Sequence, residues 1–213
     1  MIETIRPQEI ERRSFEIIGE MLQGHPLAPE HEAVIKRVIH TTADFDYADN
    51  LVFSAGAVEK GVAALRSGCD IVTDTQMARA GINKTALARL GGQVHCFMSD
   101  PDVAQEAQAR GVTRAVVSME RAAALGRPCI FAIGNAPTAL LTLYTLVETG
   151  QIDPALIIGV PVGFVNVVES KERILTLPTP HIVARGRKGG SNVAAAICYA
   201  LLYGINYWAA VWP

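Results

Sequence analysis

The stretch VIHTTADFDYADN, residues 38–50, places one histidine, His40, among hydroxyl and carboxylate side chains. A histidine can give or take a proton near neutral pH, because its unperturbed pKa is about 6.5. The hydroxyls of Thr41 and Thr42 can fix its tautomer, and the carboxylate of Asp44, one helical turn on, can favour the imidazolium. These residues indicate a proton-transfer site. They also fit an ordinary helix end, where threonine and aspartate cap the chain beside the negative pole of the macrodipole.

Two helices are predicted to position this stretch. The first runs from Pro7 to about Gln23, since its apolar residues share one face and proline suits a first helical turn. Ser14 lies on that face with Ile10, Ile17, Ile18 and Met21, and a serine there usually bonds back to its own helix. The second helix carries an apolar stripe up to His40, formed by Val34, Ile35, Val38 and Ile39.

After residue 54 the pattern alternates between helices and short apolar strands. Most of these strands are followed by a helix, which is typical of a parallel sheet covered on both faces. The sequence therefore predicts the α/β class, with a five-stranded parallel sheet in a single domain of residues 1–213. The predicted strands are CDIVTD, VHCFM, PCIFAIGN, LIIGVPVGF with its turn, and HIVA.

The loops at the carboxyl ends of these strands are predicted to hold the chemistry, because parallel sheets bind ligands there. Their small and polar residues let a ligand approach backbone N–H groups at helix N-termini, where anions are favoured. Several cations on or near this rim would suit a ligand with several carboxylates, although each alone also fits an exposed, solvated charge. The cations are Lys84, Arg114, Arg185, Arg187 and Lys188.

Composition and motifs argue against several classes of function. A net charge of −2 without a basic face disfavours a nucleic-acid partner. The four cysteines lie far apart in apolar runs and predict reduced core residues, and His25, His31 and His40 lack metal-ligand spacing, so no metal is predicted. No signal segment or membrane-length apolar run is present, which predicts a cytoplasmic protein that does not enter a membrane. The glycine loops match neither nucleotide-binding fingerprint.

Several longer phrases together carry a resemblance to a known family. In chain order they are ERRSFEII, RVIHTTADFDYADN, SGCDIVTDTQMARAGINKT, FAIGNAPTALL, GVPVGFVNVVESK and GRKGGSNVAAAI. They resemble the precorrin-8X methylmutases, or precorrin isomerases, of cobalamin biosynthesis, and they span nearly the whole chain. HTTADFDYAD and GRKGGSN look most like the cobalt-precorrin-8 methylmutases of the anaerobic-type route.

The resemblance implies an enzyme that shifts a methyl group from C-11 to C-12 of a tetrapyrrole with no cofactor. His40 matches the family's catalytic histidine, a proton donor to the ring system. Basic residues at Lys84, Arg114 and Arg187 would hold peripheral carboxylates by charge-assisted hydrogen bonds. Other substrate contacts are implied at Ser14, Thr75, Asn135 and Ser191, of which Thr75 and Asn135 can also simply cap helices. Asp44 and Asp46 fit either tuning of His40 or plain surface.

The family fold is similar to a flavodoxin-like three-layer α/β/α sandwich, and the family is dimeric with its site near the subunit interface. Aromatic residues near the C-terminus agree with such an interface or with a tail packed on its own core: Tyr199, Tyr203, Tyr207, Trp208 and Trp212. Two other functions fit the pattern, a non-catalytic corrinoid carrier and a nucleotide-binding doubly wound protein. The sequence leaves open whether the substrate carries cobalt.

Overall fold

The computed structural model describes residues 5–204, which form one β-sheet with helices on both faces. A 3₁₀-helix at Pro7–Glu9 leads into the first α-helix. The helices are α1 (Ile10–Met21), α2 (Pro29–Thr42), α3 (Tyr47–Asn50), α4 (Ala57–Arg66), α5 (Gln76–Gly81), α6 (Lys84–Arg89), α7 (Pro101–Arg110), α8 (Arg114–Ala123), α9 (Pro137–Glu148), α10 (Val167–Leu175) and α11 (Ser191–Tyr203). The strands are β1 (Leu51–Phe53), β2 (Asp70–Thr73), β3 (Val94–His95), β4 (Cys129–Ile133), β5 (Leu156–Gly159) and β6 (His181–Ala184).

The sheet is mixed and has six strands in the order β1-β6-β5-β4-β2-β3, so the predicted five-stranded parallel sheet is wrong. All five predicted strands are present and parallel, but β1 joins them antiparallel to β6. Leu51 pairs with Ala184 and Phe53 with Ile182. A strand of three residues between two helices is too short to show the alternation by which strands are detected in a sequence.

The order of the parallel strands reverses within the sheet. The chain passes from β2 to its neighbour β3 on one side. It then crosses to the other side of β2, where β4, β5 and β6 follow in order. Such a reversal between neighbouring strands, here β2 and β4, is the topological switch point at which doubly wound sheets bind ligands. A ligand site is therefore expected at the loops after β2 and β4.

Residues of each central strand alternate between two apolar layers. Ile71, Ile130 and Ile158 pack in the layer formed with α2, α4, α5 and α11. Val72 and Phe131 face the opposite layer with α8, α9 and α10. This period of two follows from the pleat of a strand and explains why the strands read as continuous apolar runs.

Capping residues fix where three helices begin and thereby place two of the predicted cations. The side chains of Thr75, Asn83 and Thr113 accept hydrogen bonds from the backbone N–H groups three residues on. Each hydroxyl or amide oxygen satisfies a donor that the helix itself leaves unpaired. As a result Lys84 and Arg114 are the first residues of α6 and α8.

Helix α1 uses its apolar residues differently from a core helix. Only Ile18 is buried, whereas Ile10, Ile17 and Met21 are 53%, 38% and 63% exposed. Amphipathic spacing identifies the residues that share a face but not what covers that face. Helix α1 packs against α2 and leaves an apolar stripe, defined as Ile10, Ile17 and Met21 with Ser14 between them, open to solvent.

Candidate functional site

His40 lies in the last turn of α2 and is exposed. Its ring centroid is 5.4 Å from that of Phe15 on α1, and Arg37 Nη1 lies 3.5 Å from its Nδ1 atom. Partial burial of the ring and the positive charge of Arg37 lower the pKa of His40, while the carboxylate of Glu11 opposes them. The histidine is therefore accessible to a ligand, and its neutral form is favoured in the free protein.

The polar residues that follow His40 do not tune it directly. Thr41 and Thr42 donate their hydroxyl protons back to Arg37 O and Val38 O, one turn earlier in the same helix. Asp44 and Asp46 instead bind Lys188, whose Nζ atom is 2.7 and 2.6 Å from their carboxylate oxygens. The prediction that the threonine hydroxyls fix the histidine tautomer is thus wrong, and the carboxylates have another partner.

Thr75 and Ser191 meet at the carboxyl edge of the sheet although they are 116 residues apart. Their hydroxyl oxygens are 2.7 Å apart, and Thr75 Oγ1 also accepts the backbone N–H of Ala78 at 3.0 Å. Both side chains are half-buried. The first turn of α11 is thereby fixed against the loop after β2, so two of the predicted substrate contacts form one polar cluster.

Asp74 is a buried carboxylate at the switch point that the sequence-based analysis did not single out. Its two oxygens accept the backbone N–H groups of Gly134, Asn135 and Ala136 at 2.9, 2.8 and 2.6 Å. Burial raises the pKa of Asp74, and these three hydrogen bonds oppose the rise. Asp74 therefore occupies three N–H groups of the loop that precedes α9, and a ligand anion cannot bind those three.

Asn135 remains a candidate through its side chain alone. Its backbone N–H binds Asp74, while the residue itself is exposed at the sheet edge. The helix after this loop, α9, is capped by Ala136 without a side-chain hydrogen bond. The alternative role of Asn135 as a helix cap is therefore wrong, because another residue holds that position.

The three basic residues of the loop between β6 and α11 have separate partners. Arg185 pairs with Glu172 through two hydrogen bonds of 3.0 and 2.9 Å, and Lys188 pairs with the two aspartates after α2. Arg187 donates to the backbone oxygen of Phe164 at 2.7 Å. Arg185 and Lys188 are already neutralised, which agrees with the alternative that each is an ordinary surface charge.

Lys84, Arg114 and Arg187 differ from those paired cations. All three are exposed, and within residues 5–204 no carboxylate lies at ion-pair distance from any of them. Among the described residues, the one hydrogen bond of the Arg114 side chain is to the backbone oxygen of Met98, at 3.4 Å. Lys84 and Arg114 also stand in the first turns of their helices, where the macrodipole disfavours a positive charge. An anionic ligand would relieve that cost.

Ser14 makes the ordinary contact expected of a serine within a helix. Its hydroxyl donates to Ile10 O at 2.9 Å, one turn earlier in α1. The oxygen of this hydroxyl keeps a free lone pair, so the side chain can still accept a hydrogen bond. The next residue, Phe15, contacts His40, which places Ser14 on the helix that borders the histidine.

Lys171 is a second buried charge that sequence reasoning missed. Its Nζ atom donates to the backbone oxygens of Gly186 and Lys188 at 2.8 Å each, and burial lowers its pKa to about 8. The loop it holds also passes tightly over β5, since a Cβ on Gly189 would lie 2.1 Å from Val160 O. A lysine inside an amphipathic helix carries no sequence signal for such a role.

The described part of the chain contains neither a membrane-spanning helix nor a metal-binding cluster. No helix there is long and apolar enough to cross a membrane. No group of three or more histidine, cysteine or acidic side chains there is arranged to hold a metal ion. All four cysteines are buried free thiols.

Comparison with known proteins identifies the class as methylmutases, and residues 9–204 match the precorrin-8X methylmutase family, CbiC. The cobalt-precorrin-8 methylmutase of Salmonella typhimurium is 49% identical over 206 residues, which cover 93% of this chain and 95% of that protein. The enzyme of the same name from Priestia megaterium is 45% identical over 198 residues, which cover 93% and 88%.

A solved structure agrees with these sequence comparisons. Precorrin-8X methyl mutase from Thermus thermophilus superposes with a TM-score of 0.83 at 39% identity, covering 91% of this chain and 96% of that one. The chain belongs to the precorrin-8X methylmutase family. It is an isomerase of cobalamin biosynthesis.

Proposed function

We propose that this enzyme moves a methyl group from C-11 to C-12 of cobalt-precorrin-8 to give cobyrinic acid. Without cobalt, the corresponding substrate is precorrin-8X and the product hydrogenobyrinic acid. The observation that carries the proposal is the 49% identity with a cobalt-precorrin-8 methylmutase over 93% of the chain. A second relative of the same name, at 45% identity, favours the cobalt form as the physiological substrate.

His40 is the proton donor in this proposal. The rearrangement is intramolecular, so the protein must supply a positioned proton and no redox partner. The support is that the ring of His40 is exposed at the end of α2 and that its only described polar contact is with Arg37. Positioned proton donation typically contributes about 10²- to 10⁴-fold to a rate.

Lys84, Arg114 and Arg187 hold the acetate and propionate carboxylates at the edge of the tetrapyrrole. Their support is the lack of a carboxylate partner among residues 5–204, together with the helix-start positions of Lys84 and Arg114. Neutral hydrogen bonds from Ser14, Thr75, Asn135 and Ser191 add to these charge-assisted contacts.

A large flat ring also needs apolar surface, and the loop after β5 offers some beside Arg187. Phe164 and Val165 are 80% and 79% exposed, and the guanidinium of Arg187 lies 5.5 Å from the Phe164 ring centroid. An exposed apolar loop next to an unneutralised cation suits a ligand with an apolar face and an anionic rim.

The active form is proposed to be a homodimer whose interface includes the apolar stripe of α1. A second copy is the occupant because the stripe contains Ser14 and borders Phe15 and His40, so the partner would complete the wall of the same site. Tyr199 and Tyr203 stack with ring centroids 4.2 Å apart on α11. Tyr207, Trp208 and Trp212, which were predicted to join this surface, lie outside the described residues.

A single domain spanning residues 1–213 and a cytoplasmic location complete the proposal. Their support is the match over residues 9–204 and the four cysteines, which stay buried and unpaired as expected in a reducing compartment.

The proposal is tested by anaerobic conversion of precorrin-8, with and without cobalt, followed by the change in visible absorption as the conjugated system alters. Wild-type protein is expected to turn over, His40→Ala to lose about 10²-fold or more in kcat while it still binds product, and His25→Ala to match wild type. His25 is a suitable control because it pairs with Asp49 at 3.3 Å and has no proposed role. Conversion by His40→Ala at the wild-type rate would refute the role of His40. Product binding without conversion by either protein would instead identify a corrinoid carrier.

A further inference from the structure

Arg37 is held in a fixed position beside His40. Its guanidinium lies 4.8 Å from the ring centroid of Phe15 and 4.4 Å from that of Tyr199, so it contacts aromatic rings from both α1 and α11. Its Nη2 atom donates to a carboxylate oxygen of Glu11. Stacking and pairing together leave Nη1 directed at His40 Nδ1, 3.5 Å away.

This geometry constrains the protons on His40. A guanidinium has only donors, so a hydrogen bond from Arg37 requires a lone pair on Nδ1. The neutral ring then carries its single proton on Nε2, the nitrogen that points away from Arg37. A second proton could enter only at Nδ1, where it would face the N–H groups of a permanent cation.

We infer that Arg37 is a positioning residue that holds His40 as a neutral imidazole with its proton on Nε2. The inference rests on the proposed role of His40 and narrows that role from full proton transfer to proton sharing through a hydrogen bond. The Nε2–H group donates a hydrogen bond to a nitrogen or carbon-bound oxygen of the ring system and shares its proton as charge develops there. The proton is not fully transferred, since complete loss would leave an imidazolate.

The charged groups around the histidine agree with this state. From its own helix Arg37 faces it, and from α1 Glu11 faces it; partial burial and then the charge of Arg37 lower the pKa of His40, while Glu11 raises it less. From α11, Tyr199 contacts Arg37. Asp44, one turn further on, is neutralised by Lys188.

The inference fixes the sign of the pH dependence. A neutral Nε2–H donor is formed as pH rises through the pKa of His40, so kcat/KM should rise through that range and then stay level. A histidinium acid would give the opposite result, because its population falls as pH rises through the same pKa.

Nitrogen-15 NMR of the histidine-labelled protein tests the state of the ring without any turnover. The two-bond proton–nitrogen spectrum distinguishes protonated from unprotonated ring nitrogens, and the spectrum of His40→Gln identifies the His40 signals among the five histidines. At neutral pH, free and with product bound, Nδ1 is expected unprotonated and Nε2 protonated. An imidazolium, or a proton on Nδ1, would overturn the inference.

Two variants are expected to shift the pKa of His40 in opposite directions, and a third serves as a matched control. Arg37→Met keeps the stem against the rings but removes the charge, so the pKa of His40 should rise and kcat should fall about tenfold with little change in KM. Glu11→Gln removes the opposing anion, so the pKa of His40 should fall. Arg12 lies on α1 beside Glu11 but pairs with Glu9 and Glu16, so Arg12→Met should change neither the pKa of His40 nor kcat.

The outcomes separate this inference from the proposed function. No change of the His40 pKa in both Arg37→Met and Glu11→Gln would overturn it, and if Arg37→Met does not fold, Glu11→Gln and the wild-type spectrum decide. A neutral Nε2–H histidine in a protein without turnover would contradict the proposed function and leave the Arg37–His40 relationship intact. Turnover that falls as pH rises through the His40 pKa would contradict this inference alone.

Discussion

Lys188 and Asp44 form an ion pair across 144 residues of sequence, with Nζ 2.7 Å from Oδ2, and Asp46 supplies a second oxygen at 2.6 Å. The pair joins the loop that carries Arg187 and Ser191 to the turn that follows His40. The contact also connects the two phrases HTTADFDYAD and GRKGGSN, which most suggested the cobalt-precorrin-8 enzymes. An exposed ion pair stabilises a protein little, so the main effect of this pair is to hold the two segments in a fixed relative position.

Replacing Lys188 by methionine should therefore impair catalysis more than stability. Without the pair, the loop with Arg187 is no longer held at a fixed distance from the end of the His40 helix. We therefore expect kcat/KM to fall about tenfold or more. Steady-state kinetics measure the effect. Arg185→Met is the matched control. Arg185 lies on the same loop as Lys188, but its side chain pairs with Glu172 of α10 and not with the segment after His40. Equal kinetic losses in both variants would contradict the positioning role.

Each cation proposed to bind substrate should contribute separately to affinity. Lys84→Met, Arg114→Met and Arg187→Met are expected to raise KM about tenfold each with little change in kcat, because each removes one charge-assisted hydrogen bond worth about 1.5 kcal/mol or more. The salt dependence of KM should weaken in the same variants. Lys60→Met, which removes an exposed lysine from α4, is the control. Unchanged KM values in all three variants would exclude these residues from the substrate site.

Burial of Lys171 predicts how stability depends on pH. The pKa of this ammonium is lowered to about 8 from an ordinary value of 10.5, so between these pH values the unfolded chain binds more protons than the folded one. The free energy of unfolding contributed by this group therefore rises as pH increases from about 8 to 10.5, and its burial cost is fully present below pH 8.

The difference between wild type and Lys171→Met isolates this contribution. The buried cysteines act oppositely in the same range, since burial raises the pKa of Cys69 to about 12, but they are common to both proteins. Urea unfolding at several pH values should show the wild type gaining stability relative to the variant as pH rises. A constant difference between the two would mean that Lys171 does not lose its proton in this range.

The apolar stripe of α1 predicts the effect of charge on assembly. Ile17→Glu and Met21→Glu are expected to convert a dimer to a monomer, because a carboxylate would be buried in an apolar interface without a partner. Sedimentation velocity measures the change. Met77→Glu serves as the control, since that residue is 69% exposed on α5, outside the stripe. A monomeric wild type, or a dimer that survives both stripe variants, would contradict the proposed interface.

The sequence predicted those parts of the fold that have a local or periodic cause. Apolar runs located all five parallel strands. Strand β1 was missed because three residues show no period, and its pairing with β6 depends on a distant segment. The open stripe of α1 was also beyond prediction, because amphipathic spacing does not tell whether the same chain covers a face.

Some residues of the candidate site were likewise predicted from the sequence, and others were not. The family resemblance pointed to Thr75 and Ser191, which the fold brings into contact. Which cations stay available could not be predicted, because the partners of Arg185 and Lys188 lie 13 and 144 residues away. Asp74 was missed because a carboxylate at the end of a strand gives no sign that it will accept three N–H groups from a loop 60 to 62 residues on.

The pairing of β1 with β6 has a consequence for how the enzyme is made. The segment that follows His40 is tied to the sheet through contacts such as that between Ser54 and His181, which span 127 residues, and such distant closures are slow steps in folding. On the ribosome, the histidine emerges well before its sheet partner β6 and the loop with Arg187. A growing chain that stops before β6 therefore holds the proposed donor but none of the geometry around it, so a chain cut short there should have no binding site for a reactive tetrapyrrole.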